Sequence, residues 1–365
     1  MAGKGHFAEA LQWSTETEVE PVELLSSAIG MAAPVLVGAV TGHIALGLAA
    51  SVGGLAVGGV GIGSSMRAQA HALTAALVPT AVAVLAAVLV SGHGWLTDAA
   101  VVLLSCAAAT IGGYSRPLVT ATIRFMLFLI IAVTLADAAP DRVGIVVLIA
   151  AGAFWTTFVS LFLGALDRAY RHRASGDNEA APAKTAPKAT AAQKLARWKN
   201  TLTHLSGWQY TLRLAFCLAV AGVLRSFWQT HHLHWIALTV ALLSQRQVEA
   251  FPIKTTQRAL GTAAGVVLTG LVVAHRPPGW SLILGIGLLA GARPLLKARN
   301  YLAYSTIMTP LIILIMDAGQ MSGSQPLYFG VLLDRVTATF IGAGLVIATN
   351  VVAGRTIGSV RPNAT

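Results

Sequence analysis

The chain has 365 residues, of which 55% are hydrophobic and only 11% charged, and its mean hydropathy is +0.71. A soluble domain carries about 25% charged residues, so the missing charge points to lipid as the solvent. The net charge of +11 sits mostly in short stretches between apolar runs, which argues against the contiguous basic face of a nucleic-acid binder.

The N-terminal stretch MAGKGHFAEALQWSTETEVEP lacks the basic-then-apolar order of a cleaved signal, so it is expected to stay on the mature protein. A helix needs roughly 20 apolar residues to cross the hydrocarbon core. That rule predicts six spans at Leu24–Gly42, Ile44–Gly63, His71–Ser91, Trp95–Tyr114, Leu118–Ala136 and Val143–Leu166. Six more follow a polar stretch: Gln209–Trp228, His234–Gln245, Arg258–Ala274, Trp280–Ala292, Tyr301–Asp317 and Val336–Ala353. The eighth and tenth are short, which leaves the count of about twelve open by one or two. Cys106 and Cys217 both lie in apolar runs and form neither a disulfide framework nor a metal spacing.

The linker opens with RHRASGDNEAAPAKTAPKATAA, a composition that predicts a flexible tether. Its second part, QKLARWKNTLTHL, puts Leu195, Trp198, Leu202 and Leu205 on one helical face. This predicts a helix lying in the interface, held by Trp198 and anionic lipid. With the N-terminus in the cytoplasm, the linker and the loops carrying Arg67, Arg116, Arg246, Lys254, Arg293, Lys297, Arg299 and Arg355 fall inside. Arg142, Arg225, Arg276 and Arg335 fall outside. The bias is roughly four or five to one, as the positive-inside rule demands, and predicts a multi-pass protein of the inner cell membrane with both termini cytoplasmic.

Sequence matches recur at an offset of roughly 190 residues. HIALGLA at His43–Ala49 matches WIALTVA at Trp235–Ala241, Asp141–Val143 matches Asp334–Val336, IAAG at Ile149–Gly152 matches IGAG at Ile341–Gly344, and Trp13 matches Trp198. The expected fold is therefore all-α, with about twelve transmembrane helices in two parallel six-helix repeats. The chain divides into a segment 1–23, a membrane half 24–166, a linker 167–208, a second half 209–354 and a tail 355–365.

RALGTAAG at Arg258–Gly265 has the form R-x-x-G-T-x-x-G and follows the Trp235–Ala241 run, while DRVTATFIGAG at Asp334–Gly344 leads an arginine into a small-residue helix. Together these resemble the fusaric-acid-resistance and aromatic-acid-exporter superfamily, whose plant relatives include the aluminium-activated malate channels. The resemblance is clearest from Trp208 to Gly354, and this chain lacks the large cytosolic domains of bigger members. It implies efflux of small aromatic or hydrophobic carboxylates, with a passive organic-anion channel as the alternative. It also implies proton-driven antiport, for which no deep carboxylate is visible in the sequence.

Arg124 and Arg213 are the candidate substrate-binding residues. Each sits inside an apolar run, at depths of about 10 and 6 Å from the cytoplasmic ends at 1.5 Å per residue. By the repeat they match Met308 and Ala28, so the common scaffold needs neither charge. A guanidinium at a span centre costs about 2.5–3.5 kcal/mol, and snorkelling to lipid phosphate is the bland alternative. Arg258, Gly261, Thr262, Gly265, Trp235, Arg335 and Gly344 read as motif and packing residues, with Arg335 pairing with Asp334 or Asp317. The glycine-rich second span, with Gly54, Gly58, Gly59 and Gly63, is a candidate broken helix whose free N–H groups could meet an anion. Asp317 and His43 are the candidate coupling groups, although His43 equally suits an interface anchor.

His231, His232 and His234 form a cluster that reads as solvated, so no metal and no cofactor are expected. A lipid-modifying enzyme or a non-transporting scaffold ranks lower, since no nucleophile, paired-carboxylate or phosphate-loop pattern occurs. The expected partners are the bilayer and a small organic anion, with homo-oligomerisation left open.

Overall fold

The computed structural model describes residues 11–14, 19–61, 65–175, 190–228, 234–244, 251–274, 279–316 and 329–358. All regular elements among them are helices, thirteen in number. The first six are α1 (Pro21–Val40), α2 (Ile44–Val57), α3 (Met66–Val90), α4 (Trp95–Gly112), α5 (Arg116–Ala138) and α6 (Arg142–Ser175). After α7 (Ala191–Leu202) come α8 (Leu205–Phe227), α9 (His234–Leu243), α10 (Phe251–Ala274), α11 (Gly279–Arg299), α12 (Tyr301–Met316) and α13 (Phe329–Gly358). Eight of these, among the described residues, are long and apolar enough to cross a bilayer; α2, α9 and α12 are apolar but shorter.

Helix packing follows one pattern twice. In the first group α2 packs on α1 and α6, α3 on α5 and α6, and α4 on α5. In the second, α9 packs on α8 and α13, α10 on α12 and α13, and α11 on α12. Between the groups α1 meets α11 and α8 meets α4, while α5 meets α9 and α12 meets α2. Adding seven to a helix number in the first group, or subtracting seven in the second, converts each inter-group contact into its mate. The short helices α2 and α9 are nearly enclosed, and both lie along the seam between the groups.

Proline and glycine set the closest contacts. A proline inside a helix leaves the carbonyl four residues earlier without its N–H partner, and in lipid that carbonyl must find another donor. Pro34 frees the Gly30 carbonyl, which accepts from Thr156 Oγ1 of α6 at 3.2 Å. Pro294 frees the Ala290 carbonyl, which accepts from Ser27 Oγ of α1 at 2.8 Å. The α2–α6 contact is backbone on backbone: a Cβ on Gly152 would lie on the Ala50 carbonyl. Only glycine allows that approach.

The structure changes several sequence expectations. The tenth span is not short: α11 runs through Pro294 to Arg299, so Arg293 is a buried helical residue rather than a loop charge. The second span does break, but it ends in carbonyls instead of beginning in free N–H groups. α2 stops at Val57, and Gly58 and Gly59 (φ +76°) turn the chain away. The interfacial helix docks on protein: Trp198 donates to the Thr110 carbonyl at 3.1 Å and meets Tyr114 edge-on at 6.3 Å. That pair sits at the C-terminal end of α4. At the matching end of α11, Ser14 N donates to the Arg299 carbonyl at 2.9 Å and Asn300 Nδ2 to the Gln12 carbonyl at 2.8 Å.

Candidate functional site

The seam has two ends. At the end that carries α7, here called the linker end, α2 finishes inside the bundle, where backbone N–H groups among the described residues reach only the Gly54 and Val57 carbonyls of its last turn. A helix C-terminus carries partial negative charge and suits a cation. Arg293 of α11 supplies it: Nη1 donates to the Leu55 carbonyl at 3.1 Å, and Nη2 reaches the Gly54 and Gly58 carbonyls and Ser27 Oγ. Arg293 is 5% exposed. A Cβ on Gly58 would meet its guanidinium at 2.5 Å, so this turn is built around the arginine.

Arg293 has two cationic neighbours. Arg124 of α5 and Lys297 of α11 lie close enough to it, and to one another, for mutual repulsion. Tyr304 of α12 lies within the electrostatic reach of Arg293 and of Arg258 of α10. The set draws on α5 from the first group and on α11 and α12 from the second, and it grades from exposed Lys297 through half-buried Arg124 to buried Arg293. Arg293 is saturated by backbone. Arg124 and Lys297 have no hydrogen bond or ion pair among the described residues. Three like charges with no carboxylate paired to them among the described residues repel one another, and an anion placed among them would relieve the repulsion.

Arg213 is placed differently. Its Nε donates to the Gln209 carbonyl at 3.2 Å and its Nη1 to Asn350 Oδ1, beside a small cavity lined by Tyr210 and Ser244. Ser244 directly follows α9, so a guanidinium also sits near the end of the second short helix, carried there by a different helix. The two arginines that the sequence puts in one pathway thus have different neighbours.

The motif residues gather along α10, α9 and α13. Arg258 is 2% exposed and donates from Nη1 to Ser305 Oγ at 3.3 Å. Gly261 and Gly265 lie against α12: added Cβ atoms would meet Ser305 Cβ and Thr309 Cβ, each at 2.6 Å. Thr262 is buried in the same contact. Arg335 is fully buried with its Cζ 3.8 Å from the Trp235 ring centre, a desolvated cation–π contact. Gly344 is the exception, because a Cβ there would have no neighbour within 4 Å. Gly342 makes the close approach instead, to Thr239 and the Ile236 carbonyl of α9. His43 is exposed and lines an apolar groove of α1, α2 and α6 rather than the seam. Asp317, His231 and His232 lie outside the described residues.

At the opposite, far end an arginine bridges the groups. Arg225 of α8 meets Asp98 of α4 at 2.9 Å and Asp137 of α5 at 3.6 Å. The sequence shows both aspartates singly at helix ends, because nothing local reveals that they share one partner.

Residues 215–349 match the family described as fusaric acid resistance protein-like. That stretch carries the likeness. It begins in α8 and ends in α13, so it spans the motif residues, Arg293 and Lys297, while Arg124 lies before it. No curated protein and no solved structure matches this chain. The many apolar helices and the fusaric acid resistance-like half together identify a multi-pass membrane protein.

Proposed function

We propose that this chain is a transporter that exports small organic carboxylates, aromatic ones among them, along the seam between two six-helix repeats. The observation that carries the reading is the cluster of Arg124, Lys297 and Arg293, shared between the halves, in which neither Arg124 nor Lys297 has an ion pair among the described residues. Carboxylate recognition needs an uncompensated cation at partial depth, and Arg124 offers a planar fork of donors. The family description of the matched half refers to resistance to an organic acid, which agrees with export. Duplication into halves at 24–166 and 209–354 is supported by the paired helix contacts. The basic linker and loops support a cytoplasmic linker end and, with it, twelve crossings in the inner membrane. On this reading Arg213 is a packing residue that holds α8 to α13.

The direct test is counterflow of phthalate in proteoliposomes. This aromatic dicarboxylate is ionised near neutral pH and does not leak through lipid. Arg124→Gln is expected to lower the rate by about tenfold or more, the worth of a charged hydrogen bond. Unchanged flux at equal reconstitution would refute the reading. A passive channel is the second reading, favoured by the absence, among the described residues, of a carboxylate beside Arg124. It predicts flux that follows voltage and ignores a pH gradient.

A further inference from the structure

The far end of the seam holds two carboxylates on one guanidinium. Asp137 Oδ1 also accepts from the Gly92 N–H at 2.7 Å, so its charge has two donors. Asp98 has Arg225 alone. Its side chain rests against Gly222, one turn before Arg225 on α8, where a Cβ would come within 3.2 Å of Asp98 Cβ. Beneath the cluster is a cavity of about 40 Å³, walled by Val101, Ile130, Val133 and Leu218, with Asp98, Arg225 and His234 as its polar rim. That space admits a water molecule or two and no organic acid. Among the described residues, the other charged and titratable groups nearby are Arg142 of α6, held on the Ser91 carbonyl at 3.2 Å, and His93, on the Val90 carbonyl at 3.3 Å.

Asp98 and Asp137 share one guanidinium beside an apolar, water-sized cavity, and Arg142, packed on Gly92, adds a second positive charge on the Asp137 side. Like charges sharing a site favour the uptake of one proton. Of the two carboxylates, Asp98 has the weaker hold on its charge. Arg225 belongs to the second half and both aspartates to the first, so the ion pairs tie the halves together at this end. A proton on Asp98 turns its charge-to-charge contact with Arg225 into an ordinary hydrogen bond and loosens α8 from α4.

We infer that Asp98 is the proton-binding group that couples proton entry at the far end to opening of the seam. This rests on the transporter reading: one proton moves from water to an Asp98 carboxylate oxygen as the seam opens, and returns to water on the linker side as it closes. The experiment compares Asp98→Asn and wild type by two readouts. In proteoliposomes, Asp98→Asn keeps phthalate counterflow at equal pH within about twofold. It loses phthalate accumulation driven by a pH gradient, and phthalate-linked proton flux read with an internal dye, by about tenfold or more.

The second readout does not depend on transport. In a background with Cys106→Ser and Cys217→Ser, Ala221→Cys in the cavity wall is labelled by an impermeant maleimide. Labelling is corrected for the pH dependence of a fully exposed cysteine. The corrected labelling rises as pH falls in wild type and is flat in Asp98→Asn. Flat labelling in wild type, proton-linked flux surviving in Asp98→Asn, or loss of counterflow together with coupling would each overturn the inference. Absence of wild-type phthalate counterflow with pH-dependent labelling intact would instead overturn the transport reading and leave the proton switch standing.

Discussion

The two ends of the seam use charge in opposite ways. At the linker end, Arg124 and Lys297 stand near Arg293 with no acid partner among the described residues. At the far end Arg225 is shared by Asp98 and Asp137, so its charge is compensated. A compensated cluster across an interface holds two bodies together, whereas an uncompensated one waits for a ligand. On the proposed transport reading the contrast separates a lock from a binding site within one seam, and it says which residues should affect stability and which should affect flux.

The sharpest way to break this comparison is Arg124→Gln. Phthalate counterflow should fall by about tenfold or more while the melting temperature in detergent stays put, because the guanidinium makes no hydrogen bond among the described residues. A lower melting temperature with unchanged flux would assign Arg124 to the scaffold. Arg293→Gln should behave in the reverse sense. It strips the cap from α2 and leaves the carbonyls of Leu55 and Gly58 without their donor, a loss of about 2–4 kcal/mol in thermal stability. Its effect on flux should follow the loss of folded protein.

A smaller change is expected at the far end. Arg225→Gln leaves two carboxylates facing each other, so it should destabilise by about 1–2 kcal/mol near neutral pH, and protonation at lower pH should recover part of that loss. Stability that falls steadily with pH in this variant would contradict the shared-cation description. Arg213→Gln should give the least, about 1 kcal/mol in stability and less than a twofold change in counterflow, since its partners are Asn350 and a backbone carbonyl. A tenfold loss of flux there, with normal melting, would return Arg213 to the pathway.

Much of the scaffold is legible in the sequence. Apolar run length locates twelve helices to within a few residues at most ends, and the amphipathic pattern around Trp198 locates α7. The exceptions have identifiable reasons. Pro294 followed by Lys297 and Arg299 reads as a loop, yet α11 continues because Ser27 satisfies the carbonyl that Pro294 frees. The glycines of the second span signal a break but not its polarity, and the polarity decides whether a cation or an anion belongs there. Gly344 matches Gly152 in sequence, while Gly342 does the packing, because register against α9 is set in three dimensions.

The sequence by itself determined that this is a helical membrane protein with a polar linker and with arginines set inside apolar runs. Those properties follow from hydropathy and local backbone preference, which act within one helix. The tertiary structure decided which charges meet. Arg124 joins Arg293 and Lys297, and Arg225 joins Asp98 and Asp137, only because helices from opposite halves lie along a common seam. Coulombic and hydrogen-bonding partners are chosen by proximity in space, and a single chain read in order carries no record of that proximity.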